Sequence, residues 1–293
     1  MIQDNSGSYL LPEAEQEFKA LLEDWYEAHG VSREHKLYSF WVEATGEKTY
    51  LAGERIAREL STLTSLENKT MLDVGCGFGG ALTALSKQNV RCVGVDINRD
   101  ELQLCLRRLS LHNDQSAVFC GDAYHLPFRD DEFDIVSCTE MLEHVRNRDE
   151  LIAEMSRVLK PGGLMYLSFP NLLSIQNILS DPHYQLFGVV LLPLSIARWY
   201  TKKIRKRNYD VEILPLAPVI SRMCLRNNVA VYSVNTSEYV LRTKLDSPNT
   251  ISGGVGKILS VALKVPGIKN LIKAAISVKA SVGASSVLAG FKA

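Results

Sequence analysis

Three aspartates, Asp73, Asp96 and Asp122, each stand at or just past the end of a short apolar run, where a carboxylate can grip a ligand. Asp73 precedes a glycine-rich turn, Leu72-Asp-Val-Gly75-Cys76-Gly77-Phe-Gly79-Gly80. Glycines at 75, 77, 79 and 80 can take positive φ and let backbone come close to a ligand. As a bare pattern, Gly75-x-Gly77-x-x-Gly80 also fits the dinucleotide fingerprint. Asp73 argues against that fit, since a carboxylate beside the turn repels a pyrophosphate and attracts a cationic amino group. Further on, Val93-Gly-Val-Asp96-Ile97-Asn98 offers an acidic residue placed to accept two ribose hydroxyls. Asn98, not Asp96, fits the helix N-cap there. Asp122, in Cys120-Gly-Asp122-Ala123, could accept from an adenine amino group.

The elements that must carry these residues alternate. The patterning predicts strands at 70–75, 91–96, 117–120, 134–138 and 164–169, with helices at about 79–87, 99–112 and 148–159 between them. Lys160-Pro-Gly-Gly163 reads as the stop of the last of these helices. Such alternation implies a parallel sheet covered on both faces. All three aspartates then fall at the carboxyl edge, where open α/β sheets bind ligands. Ahead of the sheet, 12–30 and 48–61 read as helices. Residues 31–46 are a polar-aromatic mix that could line a pocket or form an amphipathic helix. Past Pro170 the rhythm breaks, resuming with a helix near 216–227 and a strand at 229–234.

The 293 residues can bury a sizeable core, and 33 basic against 33 acidic residues give no overall pull toward nucleic acid. Six scattered cysteines with no C-x-x-C suit a reducing compartment. No signal peptide and no membrane-spanning run are evident, so the expected location is cytoplasmic, with peripheral contact to a membrane surface.

Together, LDVGCGFGG (72–80), VGVDIN (93–98), GDAYHLPFRDDEFDIV (121–136), EMLEHV (140–145) and LKPGGLMYLSFP (159–170) resemble a class I S-adenosylmethionine-dependent methyltransferase of the broad small-molecule group, densely over 48–170. The resemblance implies a Rossmann-like, doubly wound, seven-stranded sheet whose last strand, placed at Ser286–Phe291, is antiparallel. It implies that Asp73, Gly75, Cys76, Gly77 and Gly79 hold the methionine end of S-adenosylmethionine. Asp96 and Ile97 would hold the ribose, Asp122 and Ala123 the adenine, and Thr139 and Met141 would border the cofactor. A non-catalytic cofactor-binding scaffold and a nicotinamide-dependent oxidoreductase remain alternatives.

Glu140 and His144 stand four apart just past the fourth strand. On a helical turn they would share a face, with His144 as base toward an alcohol and Glu140 orienting it. The resemblance also leaves open that Glu140 helps to hold a divalent cation; no other cluster of oxygen ligands appears, and no metal is expected. Two insertions bear on the acceptor. Leu186–Tyr200 is apolar, is broken by Pro193, and runs into five basic residues between 202 and 207. From Ser247 onward there is no acidic residue but six lysines. Both segments, 186–207 and 257–280, carry the amphipathic basic character of contact with an anionic membrane surface. The expected organisation is an N-terminal helical lid (1–61), a cofactor-binding core (62–170), a cap insertion (171–215), a core continuation (216–243), a basic amphipathic insertion (244–282) and a last strand (283–293). The expected activity is methyl transfer to a small or lipid-linked acceptor, at oxygen.

Overall fold

The computed structural model describes residues 12–172, 174–212, 214–234 and 285–293. The basic insertion, including 257–280, lies outside the described residues. Seven strands form one sheet in the order β3-β2-β1-β4-β5-β7-β6: β1 Thr70–Val74, β2 Arg91–Asp96, β3 Ala117–Cys120, β4 Phe133–Thr139, β5 Leu159–Pro170, β6 Val229–Ser233 and β7 Ser285–Lys292. The helices are α1 Glu13–Ala28, α2 Tyr38–Thr45, α3 Glu47–Leu63, α4 Gly80–Ser86, α5 Arg99–Leu111, α6 Arg148–Val158, α7 Ile175–Leu179, α8 Leu194–Arg205 and α9 Ala217–Arg226. The chain divides into two compact units. One comprises the described residues up to Thr139, with Glu150–Met165 and Lys292; the other comprises Glu140–Asp149, the described part of Tyr166–Phe291, and Ala293.

In the first unit β1 runs parallel to β2 and to β4, and β2 parallel to β3. The register pairs Asp73 with Gly94 on one side and with Ser137 on the other, and Asp96 with Cys120. The inner strands are apolar because both of their faces are covered, and Met71, Leu72, Ile135 and Val136 are fully buried. Helix α5 starts where Asn98 Oδ1 accepts from the N–H groups of Asp100 and Glu101 while its side-chain Nδ2 donates to Glu101 Oε1. Asn98 is thus the N-cap, with its side chain braced by Glu101 three residues on.

The N-terminal helices pack by buried charge as well as by apolar surface. Arg108, on α5 and wholly buried, donates to both carboxylate oxygens of Glu15 on α1 at 2.9 and 2.5 Å. It also reaches Thr49 Oγ1, the Gly46 carbonyl and the Phe78 carbonyl in the glycine turn. Burial by itself would raise the Glu15 carboxyl, but His112 and Arg108 outweigh it and hold the group below its ordinary range. The mixed segment 31–46 takes the second of its two readings: Tyr38 and Val42 of α2 join Phe18, Leu22 and Leu104 in one apolar cluster, with Phe78 packed against it.

One element differs from the sequence expectation. Lys160-Pro-Gly-Gly163 is no gap between helix and strand, because β5 begins at Leu159, directly after α6. Gly162 takes φ +72°, so the chain kinks within extended backbone instead of leaving it.

In the second unit β6 and β7 are antiparallel: the Val234 amide donates to the Val287 carbonyl, and the Ala293 amide to that of Asn228. Residues between β5 and α9 have a core of their own, formed by Tyr184, Leu186, Val189, Ala197, Tyr209, Val211 and Leu214. Pro193 stands at the N-cap of α8, which is why the apolar run breaks there. No helix among the described residues is long and apolar enough to cross a membrane.

Candidate functional site

The glycine turn after β1 is fixed from β2. Gly75 and Cys76 donate their amides to the Val95 carbonyl at 2.8 and 3.1 Å, and Gly77 donates to Asp96 Oδ2 at 2.9 Å. Gly75, Gly77 and Gly79 all have positive φ, at 76°, 46° and 76°, so the sequence needs glycine there. Two cysteines fill the space that side chains would take. A Cβ on Gly79 would lie 2.5 Å from Cys105 Sγ, and one on Gly94 2.6 Å from Cys76 Sγ. Cys76 is thus a packing residue beneath the turn. At Gly77 the same test meets only Glu101 Oε2, at 3.4 Å, which leaves that face of the turn open to a ligand.

Asp73 is 2% exposed and accepts from Ser137 Oγ at 2.6 Å. Burial pushes its carboxyl up to about 6; Ser137 opposes this, and the charge of Asp96 adds to it. No cation among the described residues offsets it. A buried carboxyl in that state gains from a ligand ammonium. Asp96 divides its oxygens between Gly77 N and Asn98 N, both at 2.9 Å. Each oxygen retains a lone pair for a ribose hydroxyl. Asp122 is exposed; Oδ1 accepts from the Tyr124 amide at 2.9 Å, and Oδ2 lies 3.8 Å from His125 Nδ1. Beside them Ile97 is 72% exposed and Ala123 is buried. This donor set of three carboxylates, an open glycine turn and an exposed isoleucine fits an amino-acid nucleoside with a cationic head, such as S-adenosylmethionine. Thr139 closes β4 in the same unit.

Glu140, Met141 and His144 belong to the second unit. The segment makes a turn and not a helix: Glu140 has φ 52° and the His144 amide donates to Met141 O. Glu140 Oε1 accepts from Ser168 Oγ at 2.8 Å. The carboxylate facing His144 is that of Glu143, whose Oε1 lies 3.9 Å from His144 Nε2 and 3.6 Å from His183 Nε2. The helical-face pairing of Glu140 with His144 therefore gives way to a Glu143–His144–His183 cluster. Glu143 escaped the sequence reading because a glutamate in an apolar turn carries no spacing signal, and its partner His183 is forty residues downstream.

Residues 72–167 match the family model described as a methyltransferase domain. The chain is 36% identical over 108 residues to the ubiquinone biosynthesis O-methyltransferase of Hydrogenovibrio crunogenus, covering 36% of this chain and 45% of that protein. It is 34% identical over 109 residues to norajmaline N-methyltransferase of Rauvolfia serpentina, covering 36% of this chain and 37% of that one. The chain thus spans about half or less of the length of the curated relatives it matches. The fold resembles that of the PH0226 protein from Pyrococcus horikoshii, with a TM-score of 0.54 and 16% identity over 83% of this chain and 91% of that one. Residues 72–167 are a methyltransferase domain of the class I, S-adenosylmethionine-dependent family, and S-adenosylmethionine is its cofactor.

Proposed function

We propose that this chain transfers the methyl group of S-adenosylmethionine to an oxygen of a small or lipid-linked acceptor, at an anionic membrane surface. The cofactor supplies an electrophilic methyl group on a sulfonium. The chain's own residues bind and orient it: Asp73 receives the ammonium, the turn at Gly75, Gly77 and Gly79 admits the methionine end, and Asp96 takes the ribose hydroxyls. Ile97 lies beside the ribose with Asp96, while Asp122 and Ala123 receive the adenine, and Thr139 and Met141 border the group. Holding two reactants in line and out of water supplies much of the rate in such a displacement. An oxygen acceptor must also lose a proton. That task falls to the Glu143–His144–His183 cluster, with Glu140 shaping the turn that carries it.

The observation that carries the choice of acceptor is the outer face of α8. Ala197 and Thr201 are buried on the inner face, while Ile196, Trp199 and Ile204 are 47%, 60% and 52% exposed. Phe187, ahead of the helix, is 65% exposed. Lys202 and Lys203 follow, and Lys203 Nζ lies 4.9 Å over the Trp199 ring. Exposed aromatic and aliphatic side chains beside lysines are the residues a headgroup layer receives. The names of the two relatives divide between oxygen and nitrogen, and one carries a lipid-quinone pathway in its name. The test is to incubate the protein with methyl-labelled S-adenosylmethionine and a lysate split into lipid and aqueous extracts. Mass spectrometry should then find the label ether- or ester-bound in the lipid fraction. Label only on nitrogen, or only in aqueous compounds, would refute the acceptor.

A further inference from the structure

Glu143 poses a problem that the fold alone leaves unsolved. Its side chain is completely buried, and neither carboxylate oxygen has a hydrogen-bond donor. A buried carboxylate without a donor costs several kcal/mol, so such groups are paired, protonated or bound to a cation. The two imidazoles beside it stand too far off for hydrogen bonds, with Nε2 atoms 3.6 and 3.9 Å from Oε1. Two atoms bonded at about 2.1 Å to one tetrahedral ion are about 3.4 Å apart. The spacing is thus closer to that of co-ligands than to that of hydrogen-bonded partners. The three ligand atoms all lie within 4.8 Å of one another.

The surroundings hold these side chains as a metal site requires. His144 Nδ1 faces the Asp210 carbonyl at 3.3 Å, which fixes the tautomer that leaves Nε2 its lone pair. The Glu143 carbonyl accepts from the Glu212 amide at 2.8 Å. Asp181, 1% exposed, accepts from the amides of His183, Tyr184 and Leu186 and pins the segment that presents the second imidazole. The two rings cross at 88° with centroids 5.1 Å apart, so they approach the carboxylate from different sides.

We infer that Glu143, His144 and His183 bind a divalent cation of the zinc, cobalt or manganese class. Two imidazole nitrogens and a carboxylate suit those ions better than magnesium or calcium, which favour all-oxygen shells. Three protein ligands leave a coordination position open. An acceptor hydroxyl taken there would lose its proton more readily, so the ion supplies the deprotonation assigned to this cluster. In that one respect the inference rests on the methyl-transfer reading.

The test is a cobalt titration of the full chain, stripped with chelator and dialysed, without cofactor or acceptor. The expected result is one Co²⁺ per chain, with visible d–d absorption of nitrogen and oxygen ligation, displaced by one equivalent of Zn²⁺. Glu143→Gln and His183→Gln should each weaken binding by more than the about 10–100-fold that loss of an outer partner costs. His125→Ala, at a surface histidine, should not change it. The wild-type spectrum needs no variant to fold. Failure of the wild type to take up stoichiometric ion overturns the inference and leaves Glu143 and His183 as an ion pair. Equal affinity in wild type and both cluster variants also overturns it, by moving the ion to surface histidines. Methyl transfer without ion uptake refutes the cation alone, and ion uptake without methyl transfer refutes the activity alone.

Discussion

Asp73 is the residue on which the cofactor reading turns, because it is the feature that distinguishes this glycine turn from a pyrophosphate-binding one. Its carboxyl is raised from 3.8 to about 6, with no cation among the described residues to offset it. A carboxyl whose folded value exceeds its unfolded value gives up stability as pH rises. Its contribution is whole below about 4 and is lost through about 6, on the order of 3 kcal/mol in all. A bound ammonium reverses that cost by favouring the ionised form. Two outcomes follow for Asp73→Asn at pH 7.5: the cofactor-free protein melts at a higher temperature, and it binds S-adenosylmethionine more weakly. In the wild type, affinity for S-adenosylmethionine should be highest between about pH 7 and about 8, where Asp73 is ionised and the ligand amine still protonated, and fall about tenfold per unit below about 6, a slope absent from Asp73→Asn. Calorimetry across that range checks both. A wild-type slope that persists in the variant would remove Asp73 from the site.

At the scale of elements, a buried guanidinium joins the N-terminal helices to the core beside their apolar contacts. Arg108 joins α1, the start of α3 and the glycine turn by way of Glu15, Thr49, Gly46 and Phe78. Arg108→Met leaves the buried Glu15 carboxylate with His112 as its remaining partner and should cost about 3 kcal/mol in denaturant unfolding. Adding Glu15→Met should recover much of that loss, since paired apolar replacements of a buried ion pair are often tolerated. A single variant within about 1 kcal/mol of wild type would show the network to be dispensable.

Strands β1 to β4 and helix α5 are legible in the sequence because apolar runs, glycine turns and the Asn98 cap are local signals. The Arg108 network is not, since Glu15 lies ninety-three residues away and both residues pass for ordinary charges on an amphipathic helix. The Lys160–Gly163 kink misled for a related reason: proline and glycine mark a change of direction but do not say whether pairing stops. At the site, the three aspartates were visible as edge residues, whereas the Glu143–His144–His183 cluster forms only through tertiary folding.

For the molecule as a whole, chemistry divides between a well-marked cofactor region and an acceptor region that sequence motifs do not describe. Helix α8 buries one face on its own small core and presents Ile196, Trp199 and the lysines outward. Full-length protein should therefore co-sediment with vesicles containing anionic lipid at low salt and be released as salt rises. Lys202→Gln with Lys203→Gln should weaken that binding by about 30-fold, at about 1 kcal/mol per basic residue near a charged surface. Wild-type protein that stays in the supernatant at low salt would refute the membrane contact.

The central claim, that the carboxyl edge of β1 and β2 is an S-adenosylmethionine site, is tested most directly by calorimetric titration of S-adenosylmethionine into the wild type and Asp96→Ala at pH 7.5. Asp96 anchors the Gly77 amide and is assigned both ribose hydroxyls, so its loss removes charge-assisted hydrogen bonds worth about 1.5–3 kcal/mol each. The account predicts one cofactor per wild-type chain and an affinity at least about 100-fold lower in Asp96→Ala. A folded wild type that gives no binding heat at any temperature tried, or an Asp96→Ala variant that binds as well as wild type, would contradict it.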